Sequence, residues 1–273
     1  MDRAQTLDYL KGHALDILVV GGGIVGSGIL RDAAMRTLRV GLVEQHDLVA
    51  GTSGLSSRLL HGGLRYLAQG RVGLVREASR EKLTLSKIAP ELCEPLAFVF
   101  PCYKRSGWPF WKLRMGVSVY DFLCGRGNLG RSTGMNTSDT LAHVPGLAAE
   151  GLTGSVRYYD ALTSDTRLVL DTLRSAVMHK AGVATRCRLV RARREEGLWL
   201  CDIEDTMSGE TFVIKSRAVV SAAGPWGKQM PNHRLDLRLT KGVHIVVPKQ
   251  RLSVSDAVML QEGKRILFAI PWG

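Results

Sequence analysis

Long apolar runs are missing from this 273-residue chain. No stretch reaches the ~18 consecutive apolar residues that a membrane-spanning helix needs. The N-terminal sequence MDRAQTLDYLKGHALD has no apolar core followed by a small-residue cleavage site, so no signal peptide is predicted. Hydrophobic residues make up 45% and charged residues 23% of the chain, as is usual in soluble globular proteins. These features predict a protein of the cytoplasm, with one large domain or two smaller ones.

Paired cysteine motifs and clustered histidines are also missing. The five cysteines are odd in number and form no C-x-x-C motif, which predicts reduced, packing thiols. The seven histidines are scattered, with no H-x-x-x-H spacing. We therefore expect no metal site.

Acidic residues are in the minority, with 25 against 37 lysines and arginines and a formal charge of +12. A basic balance suits nucleic acid, an anionic membrane surface or an anionic substrate, and it also suits a chain whose acidic portion lies elsewhere. The basic run RCRLVRARR at residues 186–194 has no interleaved aromatics and matches no nucleic-acid motif. We therefore expect no nucleic-acid partner.

A glycine fingerprint dominates the N-terminal part. The apolar run at 16–20 predicts a buried strand, the helical pattern begins at Ile24, and a second strand at 40–44 ends in Glu44. Between strand and helix lie Gly21, Gly23 and Gly26 in G-x-G-x-x-G spacing. Such a turn brings backbone N–H groups and a helix N-terminus to a pyrophosphate, and the acid accepts hydrogen bonds from a ribose. The alternative is a βαβ unit whose glycines serve packing alone.

Two later segments favour FAD over NAD. The loop GTSGLSS at 51–57 is followed by HGG at 61–63, and small residues there allow close approach to a flat ring. The sequence AAGPW at 222–226 follows a three-strand meander and carries a glycine at a strand end. Segments some 200 residues apart that contact one dinucleotide are typical of flavoproteins.

The remaining pattern predicts helices at 72–88 and 165–181, and strands at 199–204, 211–215, 218–222, 241–247 and 265–272. We expect an α/β fold, with a Rossmann-type FAD-binding domain and an inserted, mainly β substrate or cap domain. The predicted divisions are 14–95 and 151–228 for the FAD-binding domain, and 96–150 and 229–273 for the substrate domain.

Several motifs together resemble one family: GGGIVGSGILRDAA, GTSGLSSRLLHGGLRYL, RYYDALTSDTRLVL, SAAGPW, KGVHIVVP and FAIPW. They resemble the FAD-dependent, quinone-linked glycerol-3-phosphate dehydrogenases of the D-amino-acid-oxidase-like superfamily, from residue 16 onward. HGGLRYL is the most family-specific piece. The resemblance implies oxidation of glycerol 3-phosphate to dihydroxyacetone phosphate, hydride transfer to flavin N5, and electron transfer to quinone. It further implies a peripheral position on the cytoplasmic face of the cell membrane, and it leaves room for a homodimer.

The resemblance and the motifs together predict site residues. Arg65 and Tyr66 border the substrate, and Lys241 helps to hold its phosphate, since guanidinium and ammonium groups suit that anion. His244 and His61 are the candidate proton acceptors. The predicted cofactor-binding residues are Gly21, Gly22, Gly23, Gly26, Glu44, Thr52, Ser53, Ser57, His61, Gly62, Gly63, Leu64, Ala223, Gly224 and Trp226.

The chain departs from the family pattern in three ways. Gly54 interrupts a serine-rich stretch, which predicts a looser loop that still allows close approach, and Ser164 stands where the family often has aspartate. The family also continues beyond FAIPW, so we expect a C-terminally incomplete pocket. The alternatives are a related FAD-dependent amino-acid or 2-hydroxy-acid oxidase, and a non-catalytic fragment that binds FAD or an anionic partner.

The segment at 103–127 mixes tryptophan and phenylalanine with lysine and arginine. This composition suits a membrane interface. It also suits a cap-domain helix that packs on the FAD-binding domain, and we favour that second interpretation.

Overall fold

A computed structural model describes residues 2–67, 69–104, 108–125, 128–230, 236–263 and 265–272. For Arg65 and Glu262, which lie within these ranges, it describes the backbone alone. The helices are α1 Arg3–Gly12, α2 Ile24–Met35, α3 Leu64–Leu67, α4 Val72–Ile88, α5 Phe110–Cys124, α6 Thr137–His143 and α7 Asp165–Met178. The strands are β1 Leu15–Val20, β2 Val40–Val43, β3 Leu59–Leu60, β4 Glu94–Tyr103, β5 Thr133–Met135, β6 Leu152–Leu162, β7 Gly182–Ala184, β8 Cys187–Glu195, β9 Leu198–Asp205, β10 Thr211–Ser221, β11 Ala257–Glu262 and β12 Arg265–Ala269. Within these ranges no helix is both long and apolar enough to cross a bilayer.

The first compact unit comprises Met1–Ser57 and Ser164–Gly242 and contains a six-stranded sheet in the order β7-β2-β1-β10-β9-β8. Strands β2, β1 and β10 are parallel, and β10, β9 and β8 form an antiparallel meander. Alternate side chains of a strand face opposite sides of a sheet. Val19 accordingly packs with α2 and α7, while Leu18 packs with α1 and the meander. This arrangement confirms the predicted Rossmann-type unit.

The second unit comprises Arg58–Thr163 and Val243–Gly273 and contains a sheet in the order β12-β11-β4-β6-β3, with β5 paired to β6. Its core joins buried side chains of α5, such as Leu113 and Val117, to aromatic rings of the sheet. Phe98 of β4 and Tyr158 of β6 stack with their ring centroids 5.3 Å apart. One face of α5 therefore packs against the sheet of its own unit.

The unit boundaries differ from the predicted domain divisions at 95/96 and 150/151. Strands β4 and β6, which the sequence divided between domains, pair antiparallel from Glu94–Leu162 to Tyr103–Leu152. Because a ladder of this length places both strands in one sheet, residues 58–95 and 151–163 belong to the second unit. Neither strand was predicted, because β4 contains Pro95 and Pro101 and its apolar run does not alternate.

Three secondary-structure predictions are wrong. The segment 241–247 is not a strand, and its alternating valines and isoleucine are exposed; a strand needs a neighbour for its backbone, which alternation alone does not provide. Helix α7 ends at Met178 rather than 181, and Lys180, two residues later, adopts the left-handed conformation, with φ of 68°. The predicted strands 211–215 and 218–222 form the single strand β10.

All five cysteines are buried and free of disulfides, as the sequence predicted. Burial raises the pKa of Cys102 and of Cys201 to about 11, and it also raises the pKa values of the other three. The thiolate is the reactive form. We therefore expect folded protein at pH 8 to react negligibly with a disulfide reagent and urea-unfolded protein to release five equivalents of thiol. Labelling of the folded protein that is already rapid at pH 8 and does not accelerate at higher pH would contradict this burial.

Candidate functional site

The predicted glycine turn joins β1 to α2 in the first unit. Gly21 has φ of 119°, which is a region that favours glycine. A β-carbon on Gly26 would overlap the carbonyl oxygen of Gly21. The helix therefore begins in direct contact with the turn, and Gly26 is the position where only hydrogen fits.

Glu44, at the end of β2, holds this turn. Its Oε2 accepts a hydrogen bond from the Gly22 N–H at 2.7 Å, and its Oε1 accepts one from the His46 N–H at 2.8 Å. A carboxylate offers about four acceptor positions. Glu44 can thus fix the turn and still accept hydrogen bonds from ribose hydroxyls. The fixing role was not predicted from the sequence.

The loop after β2 closes over the start of α2. The Ser53 hydroxyl accepts a hydrogen bond from the Ile24 N–H at 3.0 Å, so Ser53 caps a helix whose N-cap residue, Gly23, has no side chain. Gly51 lies against the ring of Trp226, and a β-carbon there would be 2.7 Å from Cζ3. The GTS loop, the glycine turn and the AAGPW segment thus meet within the first unit.

The structure explains why a glycine stands at position 54. A β-carbon at Gly54 would lie 2.5 Å from the backbone oxygen of Val49. Val49 itself has φ of 64°, an outlier for a β-branched residue. This glycine therefore allows two backbone segments to approach closely.

These segments line a cavity of about 650 Å³, within the usual range of cofactor sites. The lining combines backbone of the glycine turn with a carboxylate, a hydroxyl and an indole; it includes Gly21, Gly22, Gly23, Glu44, Ser53, Ala223, Gly224 and Trp226. Thr52, Ser57 and Gly26 are not among the lining residues, and Gly26 acts through the turn. A glycine turn, a helix N-terminus and the carboxylate of Glu44 in one cavity fit the adenosine diphosphate part of FAD.

The remaining predicted residues are distributed over both units. His61 is exposed directly after β3, Gly62 and Gly63 are buried, and the Tyr66 ring lies against Gly63. Arg65 lies in α3, and its side chain is outside the described part of the structure. His244 and Lys241 are exposed, with Lys241 in the first unit. Among the described side chains, the structure brings together His61–Gly63 and Tyr66, and it shows no hydrogen bond from His244 to that segment.

A buried polar network was missed. Lys82 of α4 and Asp160 of β6 form an ion pair of 2.8 Å with both side chains almost fully buried, and Tyr120 of α5 donates to Asp160 at 2.6 Å. Burial, and secondarily the Asp160 charge, raise the pKa of Tyr120 far above its ordinary value, so the phenol stays protonated. Periodicity could have revealed the pair. Lys82 follows Val75 and Ser79 on the buried face of α4, and Asp160 follows Val156 and Tyr158 in β6.

A family model described as "FAD dependent oxidoreductase" matches residues 16–273. The chain belongs to this family, and FAD is its cofactor. It is 41% identical, over 100% of its length and 53% of the relative's, to a glycerol-3-phosphate dehydrogenase of Pseudomonas aeruginosa. It is 37% identical, over 94% of its length and 52% of the relative's, to a D-erythritol 1-phosphate dehydrogenase of Brucella abortus.

The structure is similar to that of the glycerol-3-phosphate dehydrogenase of Bacillus halodurans complexed with FAD. The TM-score is 0.75 at 27% identity, over 99% of this chain and 48% of that one. This similarity confirms the Rossmann-like FAD-binding fold. The chain spans about half the length of the curated relatives it matches.

Proposed function

We propose that this chain is the FAD-binding part of a dehydrogenase that oxidises sn-glycerol 3-phosphate to dihydroxyacetone phosphate and passes the electrons to a quinone. The observation that carries the proposal is the 41% identity, along the whole chain, to a protein named glycerol-3-phosphate dehydrogenase. The sequence HGGLRYL supports it from the residues themselves. The relative in Brucella supports the broader class of phosphorylated polyols as substrates.

The residues have separate tasks in this proposal. The cradle of Gly21, Gly23 and Glu44 holds the adenosine diphosphate part of FAD, and the cofactor supplies the hydride acceptor. Arg65 binds the substrate phosphate through its fork of N–H donors, and Lys241 adds a second positive charge. Tyr66 borders the substrate. His244 or His61 accepts the proton of the 2-hydroxyl group, because an imidazole nitrogen can serve as a general base.

Anaerobic reduction of FAD bound to a full-length version of the protein, as long as the curated relatives, tests the substrate. We expect glycerol 3-phosphate to bleach the flavin absorption, while glycerol, sarcosine, D-alanine and 2-hydroxyglutarate leave it unchanged. Arg65→Lys should weaken the apparent affinity for glycerol 3-phosphate roughly tenfold or more, because one bidentate charged contact is lost. The matched variant Arg76→Lys, on the exposed side of α4, should behave as the parent protein does. Bleaching by an amino acid or a 2-hydroxy acid, but not by glycerol 3-phosphate, would refute the proposal in favour of the related oxidases.

We also propose that the protein is peripheral on the inner face of the cell membrane. The support is the outer face of α5, where Trp111, Met115, Val119 and Phe122 are spaced by three or four residues and exposed by 66%, 56%, 42% and 83%. Lys112 and Arg114 on the same helix are exposed cations that suit anionic headgroups. An apolar cavity of about 600 Å³ next to this face, lined by Leu64, Trp108, Met115 and Ile266 among others, supports a quinone as the electron acceptor. The predicted homodimer stays a prediction.

Vesicle binding tests the membrane proposal. The double variant Trp111→Ser/Phe122→Ser should bind phosphatidylglycerol-containing vesicles at least tenfold more weakly than the parent protein. Moving each aromatic ring from water into the membrane contributes about 1.5–3 kcal/mol to the binding free energy, and the variant loses both contributions. Met178→Ser removes an equally exposed apolar side chain from α7 in the first unit and is the control. Equal binding by all three proteins in a sedimentation assay would exclude α5 as the membrane contact.

A further inference from the structure

The predicted cofactor-binding loop His61–Gly63 is held by side chains of the second unit. The Gly62 N–H donates to the Tyr120 hydroxyl at 3.0 Å and to Asp160 Oδ1 at 3.2 Å. Tyr120 lies on α5 and Asp160 on β6, so one peptide group of the loop is fixed to two separate elements.

The buried Asp160 carboxylate, which accepts the hydrogen bond from the Gly62 N–H, has its charge compensated by Lys82. Its Oδ1 also accepts hydrogen bonds from Lys82 at 2.8 Å and from Tyr120 at 2.6 Å. Lys82 donates in addition to the backbone oxygen of Tyr159 at 3.3 Å. Lys82, Asp160 and Tyr120 are 3%, 2% and 0% exposed. An uncompensated charge in such surroundings would be strongly unfavourable, so the three side chains form one unit.

The loop is also in close contact with this network, at Gly62. A β-carbon at Gly62 would overlap the Tyr120 hydroxyl and lie 2.5 Å from the Ser79 hydroxyl. Gly62 therefore lies directly against α4 and α5. The loop leads straight into α3, which carries Arg65 and Tyr66.

We propose that Lys82, Asp160 and Tyr120 are positioning residues that fix the His61–Gly63 loop and thereby the position of the His61 side chain. The inference rests on the proposed function and on the sequence-based prediction that His61, Gly62, Gly63 and Leu64 bind the cofactor. None of the three side chains needs to touch substrate. Their contribution is a fixed loop conformation, which a core that merely stabilises the unit would not require.

Tyr120→Phe isolates the positioning role, because it removes one hydroxyl and keeps the packed ring. The matched control is Tyr158→Phe, since Tyr158 is 3% exposed and its ring lies 5.9 Å from that of Tyr120 in the same core. Hydrogen exchange, measured on the full chain, reports the Gly62 amide. We expect Tyr120→Phe to accelerate this exchange about tenfold relative to Tyr158→Phe, as the loss of one buried hydrogen bond implies.

The flavin spectrum of the FAD-loaded protein connects the loop to the cofactor. We expect Tyr120→Phe to change the absorption and fluorescence of bound FAD and Tyr158→Phe to leave them as in the parent, since groups near the ring tune its electronic properties. A purely structural network would lower the unfolding temperature and leave the spectrum and the Gly62 exchange equal in the two variants. That result would overturn the inference. Neither readout needs turnover, so a failure of glycerol 3-phosphate to reduce the flavin would refute the proposed substrate and leave this test unaffected.

Discussion

Replacing Gly26 with alanine is expected to weaken FAD binding about 100-fold. The added β-carbon would overlap the carbonyl oxygen of Gly21, so either α2 or the glycine turn must move. Overpacking of this kind costs about 3 kcal/mol of unfolding free energy, or more where backbone must yield. A displaced turn also loses hydrogen bonds to the pyrophosphate. Two such bonds to a charged group, at about 1.5 kcal/mol each, correspond to a roughly 100-fold loss of affinity.

Gly28→Ala is the matched control for this experiment. Gly28 lies on the same helix, two residues further on, and a β-carbon there meets nothing within 4 Å. Alanine should raise the unfolding free energy by about 0.5–1 kcal/mol, because it favours the helix. FAD content by absorbance and stability by urea titration are the measurements. Similar FAD content in the two variants would contradict the close approach of α2 to the turn.

The second large effect is expected at the buried ion pair. Lys82→Met leaves Asp160 buried without its cation, and Asp160→Asn leaves Lys82 buried without its anion. Each single change should lower the unfolding free energy by about 3–5 kcal/mol, because an uncompensated buried charge remains. The measurement is urea unfolding followed by circular dichroism.

The double variant Lys82→Met/Asp160→Asn should be clearly more stable than the sum of the single effects predicts, since neither charge is left unpaired. Asp32→Asn breaks the exposed pair between Asp32 and Arg36 and should leave the urea midpoint unchanged. Additive effects of the two buried changes would show that Lys82 and Asp160 do not act as a pair.

The sequence predicted the first unit well because its signals are local. A buried strand, a glycine turn, an amphipathic helix and an acid-terminated strand are each defined by neighbouring residues. The structure adds contacts between residues that are distant in the sequence, which a local pattern does not predict. Glu44 fixes the turn through the Gly22 N–H, Ser53 caps α2 from 29 positions away, and Gly54 allows close contact with Val49.

The second unit was predicted less well because its signals are non-local. Strands β4 and β6 pair although some fifty residues separate them in the sequence. The two prolines in β4 made that strand hard to predict. The alternation in 241–247 was correct as a pattern, yet the described structure gives the segment no strand neighbour. Lys82 and Asp160 occupy apolar positions in their elements, which only a search for charges within hydrophobic periodicity would have detected.

Titration of the cofactor-free chain with FAD, FMN and riboflavin tests the central claim most directly. The cavity of the first unit is lined by the glycine turn and the carboxylate of Glu44, so the adenosine diphosphate part of the cofactor should provide most of the affinity. We predict that FAD binds with one equivalent per chain, that ADP competes with it, and that FMN and riboflavin bind far more weakly. Binding of FMN as tight as that of FAD, or no competition by ADP, would contradict the account.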